Sequence, residues 1–194
     1  MTFIRDILRS IAIATLCIVA SCGGGGGGGG GPSTSQSTGD TTMPTAGGAI
    51  TLFSVDSKNT GIAYPITVYV PAGGDTGTPT PVIYLLDAET RFSTILPVLQ
   101  ASGVRATLVA VSNTGADRRQ VDFLEPGADP YYAFLTQELK PLIESKYHVD
   151  PSRSVLSGHS SGGLFAMYAF FKDTPTNRPY FAILAEDGSY WQQP

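Results

Sequence analysis

Histidine, cysteine, tryptophan and basic residues are all scarce in this sequence, and each scarcity removes a class of function. Two histidines, His148 and His159, and two cysteines, Cys17 and Cys22, supply no metal-ligating constellation and no C-x-x-C pair. Twelve Lys and Arg against sixteen Asp and Glu give a net charge of −4, with no basic cluster. Nucleic acid is therefore not an expected partner, and neither a metal nor a cofactor is expected. Only 14% of the 194 residues are charged, but 42% are hydrophobic and nine Tyr and nine Phe are present. That suffices for one sizeable core and is too little for two comfortable domains. Oligomeric state is not legible.

The N-terminus reads as a targeting segment. Arg5 and Arg9 form a positive region, and Ser10 to Ala20 an apolar stretch too short to span a membrane as a standard helix. Val19-Ala20-Ser21-Cys22 resembles the lipobox of bacterial lipoproteins. Residues 1–21 are thus expected to be a signal peptide, with Cys22 the lipidated first residue of the mature chain. The alternative is an ordinary signal peptide with Cys22 incidental. Cys17 would be lost with the leader, leaving Cys22 no intramolecular partner. Nine consecutive Gly, then Pro32 and a Ser/Thr/Gly tract, follow directly. Residues 22–48 read as a lipidated Cys and a disordered linker, since nothing there can bury apolar area. About 25 such residues give a stand-off of about 25–30 Å. The expected location is the bacterial cell envelope, with the membrane reached only through the anchor.

Residues 49–194 read as the folded domain. Ile50 to Val55 and Ile66 to Val70 are strands of an antiparallel edge, and Pro81 to Leu86 and Thr107 to Val111 are buried strands. Phe92 to Ala101 is a short helix. Residues 112–130, with Gly115, Pro126, Gly127 and Pro130, read as a long loop. Tyr131 to Tyr147 repeats apolar residues at three- and four-residue steps and is a helix bent at Pro141. Ser154 to Ser157 is a strand, Leu164 to Phe171 a helix, and Phe181 to Ala185 the last strand. Strands that alternate with helices and are apolar throughout predict an α/β three-layer sandwich with a mostly parallel sheet. Ligands on such sheets sit at the carboxyl ends of strands.

Gly158-His159-Ser160-Ser161-Gly162 joins a strand to a helix with G-x-S-x-G at the turn, the nucleophile-elbow pattern. So tight a turn strains the central Ser and crowds the positions two before and two after it, so Gly158 and Gly162 must lack a Cβ. Ser160 would then project as a nucleophile, and the N–H of Ser161 could donate to a developing oxyanion. A Gly-rich turn without chemistry is the alternative. His159, at the variable position, is not taken as the base. Asp87 could cap the next segment or line the site. Arg118, Arg119 and Asp122 could meet an anionic substrate but fit a solvated loop or a local ion pair better.

Several segments in order resemble one family. They are Val68-Tyr69-Val70-Pro71, Pro81 to Asp87, Glu138 to Ile143, Tyr147 to Arg153, and Gly158 to Gly163. The chain resembles the esterases of the α/β-hydrolase superfamily that include esterase D and the enterochelin-type esterases. The resemblance implies a serine carboxylic-ester hydrolase acting through an acyl-enzyme on a small-molecule ester. Ser160 would be the nucleophile, with Ser161 N–H and an N–H of Ala88 or Glu89 as the oxyanion hole. The family order is Ser, acid, His, yet no His follows His159. His148 belongs at the other end of the elbow strand, and Glu186 and Asp187 follow the last strand where an acid could sit. Three explanations are open: a fragment lacking the last strands, a truncated product, or a fold recruited for binding. The first leads, with a non-catalytic binding lipoprotein or an acyltransferase as the other functional readings.

Overall fold

The computed structural model of the chain describes residues 40–113, 116–174 and 176–192. The expected signal peptide, Cys22 and the polyglycine lie outside the described residues. A seven-stranded sheet runs in the order β1-β2-β3-β5-β4-β6-β7, with β1 Thr41–Thr45, β2 Gly48–Asp56, β3 Ala63–Pro71, β4 Thr80–Leu86, β5 Thr107–Val111, β6 Val149–His159 and β7 Ala182–Glu186. β1, β2, β3 and β5 pair antiparallel in turn, while β5, β4, β6 and β7 are parallel neighbours. The fold is α/β, as the alternation predicts.

Period-two alternation divides the side chains between two layers. On β4, Val82, Tyr84 and Leu86 enter one core, and Ile83 and Leu85 enter the other. The second core is closed by helix α1, Ala88–Ala101, through Ile95, Leu96 and Leu99. The first is closed by α2 (Ala116–Phe123), α3 (Ala128–Ala133), α4 (Lys140–Lys146) and α5 (Ser161–Lys172). A π-helical turn, Phe134–Leu139, joins α3 to α4. Pro141 stands in the first turn of α4, directly after the π-helical turn, so its missing N–H falls where the helix changes from π to α.

Three sequence expectations are corrected. The end of the 22–48 linker is structured: Thr41–Thr45 is a strand in register with β2, Thr41 opposite Leu52 and Thr45 opposite Gly48. Its side chains are mostly exposed, so backbone pairing rather than burial makes it a strand. Much of the 112–130 loop is helix, because its inward side is polar and neutralised rather than apolar. Arg118 pairs with the fully buried Asp122, which also accepts from Tyr64 Oη at 3.0 Å and Asn113 Nδ2 at 2.8 Å. Burial holds the Asp122 carboxyl above its usual range even against those bonds, and burial pushes the Tyr64 phenol up to about 12. Finally, the elbow strand begins at Val149 rather than Ser154, and α1 begins at Ala88 rather than Phe92.

Aromatic rings fill the space beneath the elbow helix. Phe165 of α5 lies 5.5 Å from Phe123 and 5.1 Å from Tyr131, ring centre to ring centre, and is fully buried. Phe165→Ala is expected to lower unfolding free energy by about 3–5 kcal/mol, read by urea denaturation. A loss below about 1 kcal/mol would show that this ring cluster does not support α5.

Candidate active site

β4 and β6 are parallel neighbours, with Leu85 opposite Ser157. Continuing that register two residues brings Asp87 level with His159, so α1 and α5 begin side by side at the carboxyl end of the sheet. Ser160 sits between β6 and α5 with φ 57° and ψ −122°, a left-handed conformation that a non-glycine residue adopts only when its surroundings impose it. Its N–H donates to Glu186 O at 3.0 Å, and its carbonyl accepts from the N–H groups of Leu164 and Ser189, both at 3.0 Å. The strand, sharp turn and helix expected around G-x-S-x-G are all present.

Backbone contact explains the glycines, with one revision. A Cβ on Gly158 would overlap the Gly162 carbonyl, so strand and helix touch there directly. Gly162 is less constrained: its Cβ would stand 2.9 Å from Asp87 Oδ2, the end of a side chain. Gly163, not singled out in the sequence, is the tighter of the two, since its Cβ would come within 2.8 Å of Glu186 O and 3.0 Å of Gly188 Cα.

The Ser160 hydroxyl lies 2.9 Å from that of Ser189, a buried residue in the turn after β7. Sequence reading missed Ser189, whose one signal is its place just past a strand end. Ser161 is buried and opens α5, and its Oγ donates to Gln192 Oε1 at 2.7 Å. Ala88 is likewise buried and opens α1. First-turn N–H groups have no intrahelical acceptor, so Ala88 and Ser161 each bring a donor that can serve a ligand at this edge, while the Glu89 N–H is taken by its own carboxylate. The helix dipoles favour negative charge there.

Asp87, at φ 58°, accepts from Arg119 Nε at 2.6 Å and Arg119 Nη2 at 3.0 Å. Arg119 Nη2 also lies 3.3 Å from the His159 carbonyl, so Asp87 is structural and α2 is tied to both strand ends. Glu186 pairs with Arg91 at 2.6 Å and accepts from Ser157 Oγ at 2.8 Å, which directs it to the α1 layer. The Asp187 carboxylate is 3.9 Å from His159 Nε2, and both side chains are well exposed. His148 bonds Gly77 O just before β6, at the end of that strand opposite Ser160. Among the described residues no group of three or more His, Cys, Asp or Glu could hold a metal ion.

The Esterase family model, described as "Putative esterase", matches residues 57–193. The chain belongs to this esterase family. The Bacillus subtilis (strain 168) protein named ferri-bacillibactin esterase BesA is 27% identical over 193 residues, covering 79% of this chain and 66% of that protein. The siderophore triacetylfusarinine C esterase of Aspergillus fumigatus is 28% identical over 140 residues, 58% of this chain and 45% of that protein. Among solved structures, an IroE-like serine hydrolase from Shewanella oneidensis is 28% identical with a TM-score of 0.64, over 72% of this chain and 51% of that one. The BES protein from Bacillus cereus shares the fold at 24% identity and a TM-score of 0.62, over 81% and 67%. The α/β-hydrolase fold expected of this chain is therefore the fold it has. The chain spans about half to two thirds of the length of these curated relatives.

A graded response to added methyl groups tests the elbow. Gly158→Ala is expected to prevent folding or cost more than about 3 kcal/mol, Gly163→Ala somewhat less, and Gly162→Ala least because it alone meets side-chain atoms rather than backbone. Thermal denaturation gives the order, and Gly162→Ala as the worst of the three would contradict this packing.

Proposed function

We propose that this esterase-family chain carries the nucleophile and oxyanion donors of a serine carboxylic-ester hydrolase. Ser160 in its strained turn, between two helix N-termini, is the observation that carries the reading. In this scheme Ser160 Oγ attacks the ester carbonyl, an Oγ–C bond forms, and the carbonyl π pair moves onto oxygen. Ser161 N–H and Ala88 N–H donate to that oxyanion; losing one such donor typically costs on the order of 3 kcal/mol of barrier. The Ser160 hydroxyl proton passes to solvent, collapse expels the alcohol, which takes a proton from solvent, and the acyl-enzyme left behind is hydrolysed by water. His148 lies at the far end of β6 and His159 faces Asp187, so the scheme assigns no proton acceptor among the described residues.

The names of the relatives direct the choice of substrate. BesA is named a ferri-bacillibactin esterase and the Aspergillus fumigatus relative a siderophore esterase, so esters of siderophores are the proposed class. Cys22 is proposed to carry lipid that holds the domain at the bacterial cell envelope; the sequence Val19-Ala20-Ser21-Cys22 before a polyglycine spacer supports that reading.

Two measurements test these assignments. A fluorophosphonate probe is expected to label the intact protein once, on the peptide containing Ser160, and to leave the Ser160→Ala variant unlabelled. A folded protein that stays unlabelled counts against the nucleophile. For the anchor, mass spectrometry of the protein expressed in a bacterium is expected to find acyl chains on Cys22 and membrane-fraction protein. Cys22→Ala should release it, and an unmodified Cys22 in a correctly processed chain would refute the lipid.

A further inference from the structure

We infer that Arg119 is a positioning residue that sets the spacing between the two oxyanion donors, the N–H groups of Ala88 and Ser161. This rests on the proposed function, which assigns those N–H groups to the oxyanion. A single guanidinium reaches the residue before Ala88 and the residue two before Ser161. Its Nε and Nη2 hold the Asp87 carboxylate at 2.6 and 3.0 Å, and Asp87 immediately precedes Ala88. Its Nη2 also donates to the carbonyl of His159 at 3.3 Å, and that carbonyl belongs to the peptide leading into Ser160. The guanidinium is planar with its donors in a fixed fork, so two strand ends bonded to it keep a fixed separation.

The fork is itself held. The Arg119 guanidinium lies over the Phe123 ring at 5.3 Å, and Phe123 packs on Phe165 of α5. Asp87 Oδ2 and Phe123 Cε2 are both among the nearest atoms to the space a Cβ on Gly162 would fill, so carboxylate, ring and α5 meet at one point. Asp87 needs this support, because it is buried and takes a left-handed backbone just before Ala88. Without Arg119 its charge would be stranded and its turn free to relax, carrying the Ala88 N–H with it. The neighbouring Arg118 has a separate task, the core pair with Asp122.

Phenylboronic acid binding to the full 194-residue chain reads this geometry without turnover. Ser160 Oγ gives a lone pair to boron, the hydroxyl proton leaves to solvent, and the tetrahedral anion places one oxygen at the donors. Arg119→Lys and Arg119→Met are each expected to bind at least tenfold more weakly than the unaltered chain. The double variant Arg119→Met/Asp87→Asn removes the stranded charge; it should regain thermal stability without regaining affinity. A merely structural Arg119 would give back affinity along with stability, and that outcome overturns the inference. So does affinity within twofold of the unaltered chain in either single variant. If the unaltered chain forms no adduct, or Ser160→Ala binds equally, the nucleophile assignment itself fails and the positioning role falls with it.

Discussion

The contact between Gly158 and the Gly162 carbonyl leaves no volume for a side chain, and the geometry of the site descends from that closeness. With strand and helix so near, the chain must reverse within one residue, and Ser160 takes a backbone conformation that serine normally avoids. The hydrogen bonds from Ser160 N–H to Glu186 O and from Ser189 N–H to Ser160 O then brace the turn from β7. A serine hydroxyl held out on a braced crease does not fold back onto its own helix; it meets the Ser189 hydroxyl at the sheet edge instead.

The second constraint is electrostatic. Two helices of 14 and 12 residues start at neighbouring strand ends, and both present positive dipole ends to one region. Left alone, that region would draw in the nearest carboxylate. Asp87 is that carboxylate, and its bidentate pair with Arg119 occupies its oxygens. The polar side of α2 thus leaves the field of both helix ends for an incoming anion.

Legibility in the sequence followed how each element meets its neighbours. β4 and β5 are buried on both faces, so their unbroken apolar runs could be read directly. The elbow was legible because sterics dictate its glycines, although Gly163 rather than Gly162 proves the closer fit. α2 was not legible: of its two large apolar residues Phe123 is buried while Val121 is exposed, and the remaining inward contacts are ion pairs that no hydrophobic stripe announces. β1 was hidden for another reason, since Thr-Thr-Met-Pro-Thr is a strand only because β2 offers it a ladder. Ser189 and Arg119 reach the site from turns and helices distant in sequence, and such proximity is a property of the folded sheet alone.

The strand order has a practical consequence for handling the molecule. β1 forms one margin of the sheet, while β6, which leads into Ser160, lies five strands away, about 24 Å across at normal strand spacing. A label carried on β1 itself therefore sits on the flank of the sheet far from Ser160.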